Sequence, residues 1–257
     1  MSTMAKPARL AHICRHPVKA AGFEELDSIE LTAGEPMPLD RRWAVAHAAA
    51  PFKGNPEGWE RKQAFLRGVA SAELMAIRAR WDEAAQRLAL NHPRAGTITA
   101  DPESPADAAR LVDWLRPLWP EGRPAPDRLV RRATGALADN PEPYVSILNL
   151  ASNRELGQRL GQALSIHRWR GNLWVDGLAP WEEFDLIGQE IAIGAVRLRI
   201  ERPITRCLAT AANPETGRSD ADTLGALEDG YGHQDFGVFA VVASGGRLRI
   251  GDPVSLP

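Results

Sequence analysis

The chain has 257 residues, of which 44% are apolar and 25% charged, and a formal net charge of −2. This is an ordinary globular composition, long enough for one large β-rich domain or two modest ones with a real core. No stretch collects Lys and Arg without matching acids, so nucleic acid is not an expected partner, although a local basic pocket for a small anion stays compatible with the net charge. The first ten residues hold no apolar run of signal-peptide length and no later segment has the length of a bilayer span, which predicts a cytoplasmic chain with no membrane partner. The two cysteines, Cys14 and Cys207, are too few for a four-thiolate iron–sulfur cluster or a Cys-rich zinc site. A reducing compartment argues against pairing them.

Short apolar runs broken by turns dominate the first fifty residues. Leu10 to Cys14 reads as a strand stopped by His16-Pro17, Ser28 to Leu31 alternates with period two, and Arg42 to Ala46 is a further strand. Residues 51–62, rich in Pro, Gly and Trp, read as an exposed loop, with Trp59 a candidate for a docking surface. Ser71 to Ile77 suggests a short helical turn, and Arg78–Trp81 with Arg87–Leu90 a hairpin. Residues 91–105 carry three prolines and read as a linker. Leu111, Trp114, Leu115 and Leu118 stand at helical spacing over Asp107–Trp119, with Pro117 as the stop. The Pro-rich stretch 120–127 places a boundary between two lobes, 8–123 and 124–257.

In the second lobe Tyr144 to Leu150 reads as a strand. Ser152-Asn153-Arg154-Glu155 has the form of a capping box opening a helix over 153–164, with Leu156, Leu160 and Leu164 as its apolar face. Leu173–Val175, Glu190–Ile193 and Val196–Ile200 are strands, the last two meeting at Gly194-Ala195. Phe236–Ala243 and Arg247–Ile250 flank Ser244-Gly245-Gly246, which predicts a hairpin. Many short strands and few helices predict a mainly β, barrel-like architecture.

Cys207 is the first candidate for chemistry. It follows Arg202-Pro203-Ile204-Thr205-Arg206, and flanking arginines favour a thiolate, the better ligand and nucleophile. The bland alternative is a small buried hydrophobe. Cys14 lies within an apolar run and reads as core. Lys19, Arg41 and Arg42 sit at strand ends, where basic side chains converge on a phosphate or serve as surface charges and ion pairs. Asn149, Ser152 and Asn153 open a helix, a place for an anion or for plain capping. Arg170-Gly171-Asn172 offers directional donors before a strand, or a plain turn. The six histidines show no close metal-ligand spacing, and no GxSxG, Walker A or GxGxxG occurs.

Several segments together resemble the MOSC family, named for the C-terminal domain of molybdenum cofactor sulfurases. They are His16-Pro17-Val18-Lys19, Leu31-Thr32-Ala33-Gly34 and Leu39-Asp40-Arg41-Arg42-Trp43 in the first lobe. In the second they are Arg206-Cys207, Asn213-Pro214-Glu215-Thr216-Gly217, Phe236-Gly237-Val238-Phe239, Gly245-Gly246 and Ile250-Gly251-Asp252-Pro253-Val254. The resemblance is thinnest between residues 50 and 140. It implies a MOSC fold with an N-terminal β lobe and a molybdenum–molybdopterin cofactor whose metal takes Cys207 as protein ligand and catalytic group. It further implies that Lys19 and Arg41 hold the phosphate and pterin end, joined by Ser152, Arg170, Asn172 and Thr205. Ala20 stands where relatives often have Ser, and Asn213 where the motif usually has Asp.

The function so implied is reduction of small N-hydroxylated compounds, with electrons from a separate ferredoxin- or flavin-type reductase. The rival readings are a non-enzymatic carrier of the cofactor, or of sulfur as a Cys207 persulfide, and an interaction module without cofactor. No pyridoxal-phosphate domain is recognisable in these residues, so cysteine desulfuration is not expected of them.

Overall fold

The first apolar run forms β1 (Arg9–Arg15), and most of what it pairs with arrives from far along the chain. In the computed structural model, which describes residues 7–256, it is followed by β2 (Glu24–Leu26), β3 (Ser28–Leu31) and β4 (Trp43–His47). A three-stranded sheet then forms from β5 (Arg78–Asp82), β6 (Arg87–His92) and β7 (Gly96–Ala100). Helix α1 (Pro105–Leu115) and strand β8 (Pro126–Arg131) complete this half. The C-terminal half supplies β9 (Val145–Asn149), α2 (Leu150–Arg159), β10 (Leu173–Asp176), β11 (Glu190–Ile193) and β12 (Val196–Thr205). It ends with α3 (Thr223–Tyr231), β13 (Asp235–Ser244), β14 (Gly246–Arg249) and β15 (Val254–Ser255).

Eight strands share one sheet in the order β15-β11-β12-β13-β9-β10-β1-β2. Only β9 and β10 run parallel within it, with α2 crossing between them. The mainly β class is as expected; the main sheet is open, with β15 and β2 as its edges. Burial on both faces explains why its central strands read as continuous apolar runs rather than alternating ones. Ile13, Ile147, Leu173 and Val175 enter one core, while their neighbours Cys14, Leu148 and Trp174 enter a second on the opposite face. A third core lies under β4, β6 and α1, built on Trp43, Val45, Leu88, Leu90, Leu111 and Leu115.

Long-range pairing overrode local pattern in several places. The expected linker 91–105 contains β7, whose Gly96-Thr97-Ile98-Thr99-Ala100 run pairs with β6. Its two threonines and isoleucine suit a pleated surface, and the prolines lie outside the strand. The expected hairpin at Ser244–Gly246 does not form. β14 leaves β13 and pairs instead with β3, Gly246 opposite Leu31 and Arg249 opposite Ser28. The capping box is absent as well. Helix α2 starts earlier, at Leu150, and its cap is Asn149, whose Oδ1 accepts from the Ala151 amide at 2.9 Å. Leu164 lies beyond the helix but still joins the core beside Leu156. Helix α3, capped by Asp222, was not foreseen. Trp59 is not a free exposed ring; it is half-buried, and its indole N–H donates to the Ala138 carbonyl at 3.2 Å.

The two halves are interleaved. β8, from beyond residue 123, pairs with β4 and packs on α1. β1 and β2 belong to the C-terminal sheet, and β3 holds β14. Gly237 in β13 marks how closely this sheet is packed. Its φ is +72°, and a Cβ there would stand 2.8 Å from the Ile147 carbonyl oxygen, which has no freedom to retreat. Gly237→Ala is therefore expected to cost about 1–3 kcal/mol of stability, read as a lower midpoint in urea unfolding. An unchanged midpoint would show that the β9–β13 pair can relax.

Candidate functional site

Strand β12 carries its chain to the mouth of a cleft. It ends at Thr205, and Cys207 follows in extended conformation before a 3-10 turn at Leu208–Ala211. Thr210 secures that exit, its amide and hydroxyl both donating to the Cys207 carbonyl at 3.1 and 3.0 Å. The Cys207 thiol is exposed, whereas Cys14 is buried and burial pushes its thiol far up, leaving it a protonated core group. The two cysteines thus divide into an accessible one and a structural one, as the sequence suggested.

The cleft measures about 740 Å³ and is walled by both halves of the chain. Six of the seven expected residues line it: Lys19, Arg41, Arg170, Asn172, Thr205 and Cys207. Ser152 does not. It lies inside α2, fully buried, donating to the Glu183 carboxylate at 2.8 Å and accepting from the Trp181 amide at 2.8 Å. Glu183 also takes the Asn149 side-chain amide at 2.8 Å, and burial pushes its carboxyl up. Ser152 has no donor left for a ligand. Its local motif matched, but the helix begins three residues earlier than that motif implied, which turns the hydroxyl inward.

The cationic floor is built from backbone strain and carbonyl contacts. Arg41 and Arg170 both hold a left-handed backbone, at φ 51° and 49°. Arg41 pairs with Asp40 and donates Nη2 to the Arg170 carbonyl at 2.9 Å. Arg170 donates to the carbonyls of Gly22 and Val18, each at 3.1 Å. Burial, then the neighbouring Arg41, pushes the Arg170 guanidinium down to about 9. Lys19 is buried, donates to the Leu137 carbonyl at 2.9 Å and pairs with Asp139; burial pulls its ammonium below the usual lysine range. Asn172 ties three strands together, accepting from the Ser146 hydroxyl at 2.8 Å and donating to the Cys14 carbonyl at 3.3 Å. Thr205 donates to Asp235 at 2.5 Å.

Four further basic residues of the cleft were not singled out by sequence, and Arg202 and Arg206 were read only as flanks of Cys207. Lys62, Arg67, Arg132, Arg168, Arg202 and Arg206 join the first three, making nine basic side chains against four acidic ones. A chain of net charge −2 thereby presents a strongly positive cleft. Arg206 is turned inward, donating to the carbonyls of Phe236 and Trp169 at 2.8 Å and lying over the Trp169 ring. Burial pushes its guanidinium down to about 9, and the neighbouring Cys207 draws it partly back up. Arg168 anchors the segment after Cys207, meeting the Ala211 carbonyl at 3.1 Å and Asp220 at 2.5 Å. Asp220 also accepts from Asn213 at 2.6 Å, so the Asn found in place of the motif's usual Asp has a partner of its own.

These donors fit a molybdenum–pterin cofactor. The Nε atoms of Arg132 and Arg168 are buried at the cleft without a hydrogen-bond partner, which is costly unless an acceptor meets them. One accessible soft sulfur suits a metal, and hard cationic donors elsewhere suit a phosphate. Among the described residues no group of three or more His, Cys, Asp or Glu side chains could hold a metal ion by itself. A metal here would have to bring most of its own ligands, as a dithiolene-bound one does.

Fold and site together define a β-rich protein with an exposed thiol at a cleft rich in basic side chains. Residues 134–255 match the MOSC domain, and this part of the chain is a MOSC domain. Over 161 residues the chain is 29% identical to mitochondrial amidoxime-reducing component 1 of Mus musculus, covering 58% of this chain and 46% of that protein. Over 128 residues it is 27% identical to the molybdenum cofactor sulfurase of Anopheles gambiae, covering 45% of this chain and 16% of that one. The chain therefore spans less than half the length of these relatives. Among solved structures, the YUAD protein of Bacillus subtilis superposes with a TM-score of 0.47 at 12% identity, over 98% of both chains. No helix among the described residues is long and apolar enough to cross a membrane.

The floor of the cleft should be acid-sensitive. His16 is fully buried; its amide and Nδ1 lie 2.8 and 3.2 Å from Asp40 Oδ1. Burial, then Arg170, pulls the His16 imidazole down to about 3, and the Arg41 guanidinium and His16 hold the Asp40 carboxyl well below the usual range. Groups whose folded pKa is depressed support the native state above their unfolded pKa and withdraw that support as pH falls. Stability should therefore decline from roughly pH 6.5, the ordinary histidine value, towards pH 3. His16→Asn should flatten this decline in urea titrations across pH, and a variant with the wild-type slope would refute the assignment.

Proposed function

We propose that this protein binds the molybdenum–molybdopterin cofactor in its cleft, with Cys207 as the protein ligand of the metal, and reduces N-hydroxylated compounds with electrons from a separate ferredoxin- or flavin-type reductase. The observation that carries this reading is the convergence of one accessible thiol and buried cations from both halves on a single cleft. The relatives named as amidoxime-reducing component and molybdenum cofactor sulfurase support it. When bound, the cofactor would supply two-electron oxygen-removing chemistry at its metal.

The chain's own residues supply binding and orientation. Cys207 offers the soft donor. Lys19 and Arg41 take the phosphate end, while Arg170 and Asn172 hold the pterin from the adjoining turn and Thr205 stands on the strand that leads to the cysteine. Lys19 is buried but its partner Asp139 is 55% exposed, so the carboxylate can swing to water and leave the ammonium to an incoming phosphate. Arg41 keeps Asp40 as a fixed positioning partner, because that carboxylate is itself buried. We also propose that the two lobes divide after β8, near residue 131, rather than at residue 123, since β8 pairs with β4.

One observation favours the carrier reading as an alternative. Leu208, beside the exposed thiol, is 62% exposed, and an apolar side chain next to a reactive sulfur suits hand-off to another protein. Metal analysis of protein made in a cofactor-producing host separates the two. Bound molybdenum with turnover from an artificial low-potential donor supports the reductase; sulfane sulfur on Cys207 without molybdenum supports the carrier. Cys207→Ser is expected to abolish molybdenum retention, because a hydroxyl is a harder and far less acidic ligand. Cys14→Ser should cost stability alone. Lys19→Gln and Arg41→Gln should each weaken cofactor retention by about 10- to 100-fold, the worth of one charge-assisted hydrogen bond. Full metal content in the Cys207→Ser protein would refute the proposal.

A further inference from the structure

Arg202, Tyr144 and Phe239 form a shelf on the cleft wall that none of the roles above uses. The sheet places them side by side. Arg202 in β12 is registered opposite Phe239 in β13, and Phe239 is registered opposite Ser146 in β9, two residues beyond Tyr144. The Tyr144 and Phe239 rings stack at 4.8 Å between centroids and 18° between planes. The Arg202 guanidinium lies 5.3 Å from one ring centroid and 5.0 Å from the other. Its Nη2 donates to Asn140 Oδ1 at 3.0 Å, which fixes the plane of the fork.

Arg202 differs from five of its cationic neighbours. Lys19, Arg41 and Arg168 each have a carboxylate partner, and Arg170 and Arg206 are half-buried against backbone carbonyls. Arg202 is exposed and forms no ion pair among the described residues. A guanidinium held against an aromatic pair with donors free is a bidentate receptor for a carboxylate, and half-buried rings beside it accept a planar conjugated body. Arg202 precedes Cys207 by five residues, mostly in extended strand, which places the shelf roughly 15 Å from the sulfur. A permanently held cofactor takes the buried floor, with Lys19, Arg41 and Arg170; a molecule that must come and go takes the exposed rim.

We propose that this shelf is a substrate subsite that selects planar aromatic compounds bearing a carboxylate, held by Arg202 and stacked beside Tyr144 and Phe239. The substrate class rests on the reductase reading; the binding chemistry does not. Titration calorimetry of the full chain, with and without bound cofactor, tests the binding with benzoate and cyclohexanecarboxylate as probes. Benzoate should bind at least about tenfold more tightly than cyclohexanecarboxylate, and Arg202→Gln and Tyr144→Leu should each remove that preference. Lys19→Gln should leave it intact. Equal binding of the two probes, or benzoate binding indifferent to Arg202→Gln, overturns the proposal. Loss of benzoate binding on cofactor loading also overturns it, by assigning the shelf to the cofactor. In turnover, an aromatic amidoxime with a ring carboxylate should show a lower KM than its neutral parent, and Arg202→Gln should erase the difference with little change in kcat. If neither amidoxime is reduced, the reductase reading fails while the titration still decides the shelf.

Discussion

Burying guanidinium charge is the constraint around which the cleft is built. Arg41, Arg168, Arg170 and Arg206 all reach into a region where an unsatisfied cation would be prohibitively unfavourable. Each is answered by oxygens in fixed positions: Asp40, Asp220, and the carbonyls of Val18, Gly22, Trp169, Ala211 and Phe236. Those oxygens come from both halves of the chain. The arginines thus hold the walls of the cleft together while making it positive, so the same contacts define its shape and its charge. The left-handed backbone at Arg41 and Arg170 is the local cost of aiming them there.

The sheet contributes the complementary part. β12 runs through ten residues, with Val196, Leu198 and Ile200 in the core and Arg197 and Arg199 outside, and delivers Cys207 at its end. The sulfur is exposed because the strand has stopped and the turn beyond it is tied by Thr210, Arg168 and Asp220 rather than by the core. An accessible thiol on a rigid element beside a charged cleft is what a ligand-holding site requires.

Much of this could be read before the fold was known. Strand alternation revealed β3, apolar runs bounded by turn residues revealed β12 and β13, and Pro117 marked the end of α1. The segment resemblance carried Lys19, Arg41, Arg170, Asn172, Thr205 and Cys207 to one cavity. Ser152 failed because a capping box is a local pattern, and Asn149 offered a competing cap at the end of β9. The basic residues Arg67, Arg132 and Arg168 carried no signal at all, since they are scattered singly along the chain and lie together only in space.

By itself, the sequence determined the β-rich class, the division of labour between the two cysteines and the short motifs of the site, because these depend on periodicity and on residues near one another in the chain. Tertiary structure alone decided that β14 pairs with β3, that β8 closes on β4 and that nine basic side chains surround one cleft. Those outcomes depend on strand partners far apart in the chain. No local pattern encodes such a partner, because it is chosen by which pairing buries both faces of the sheet at once.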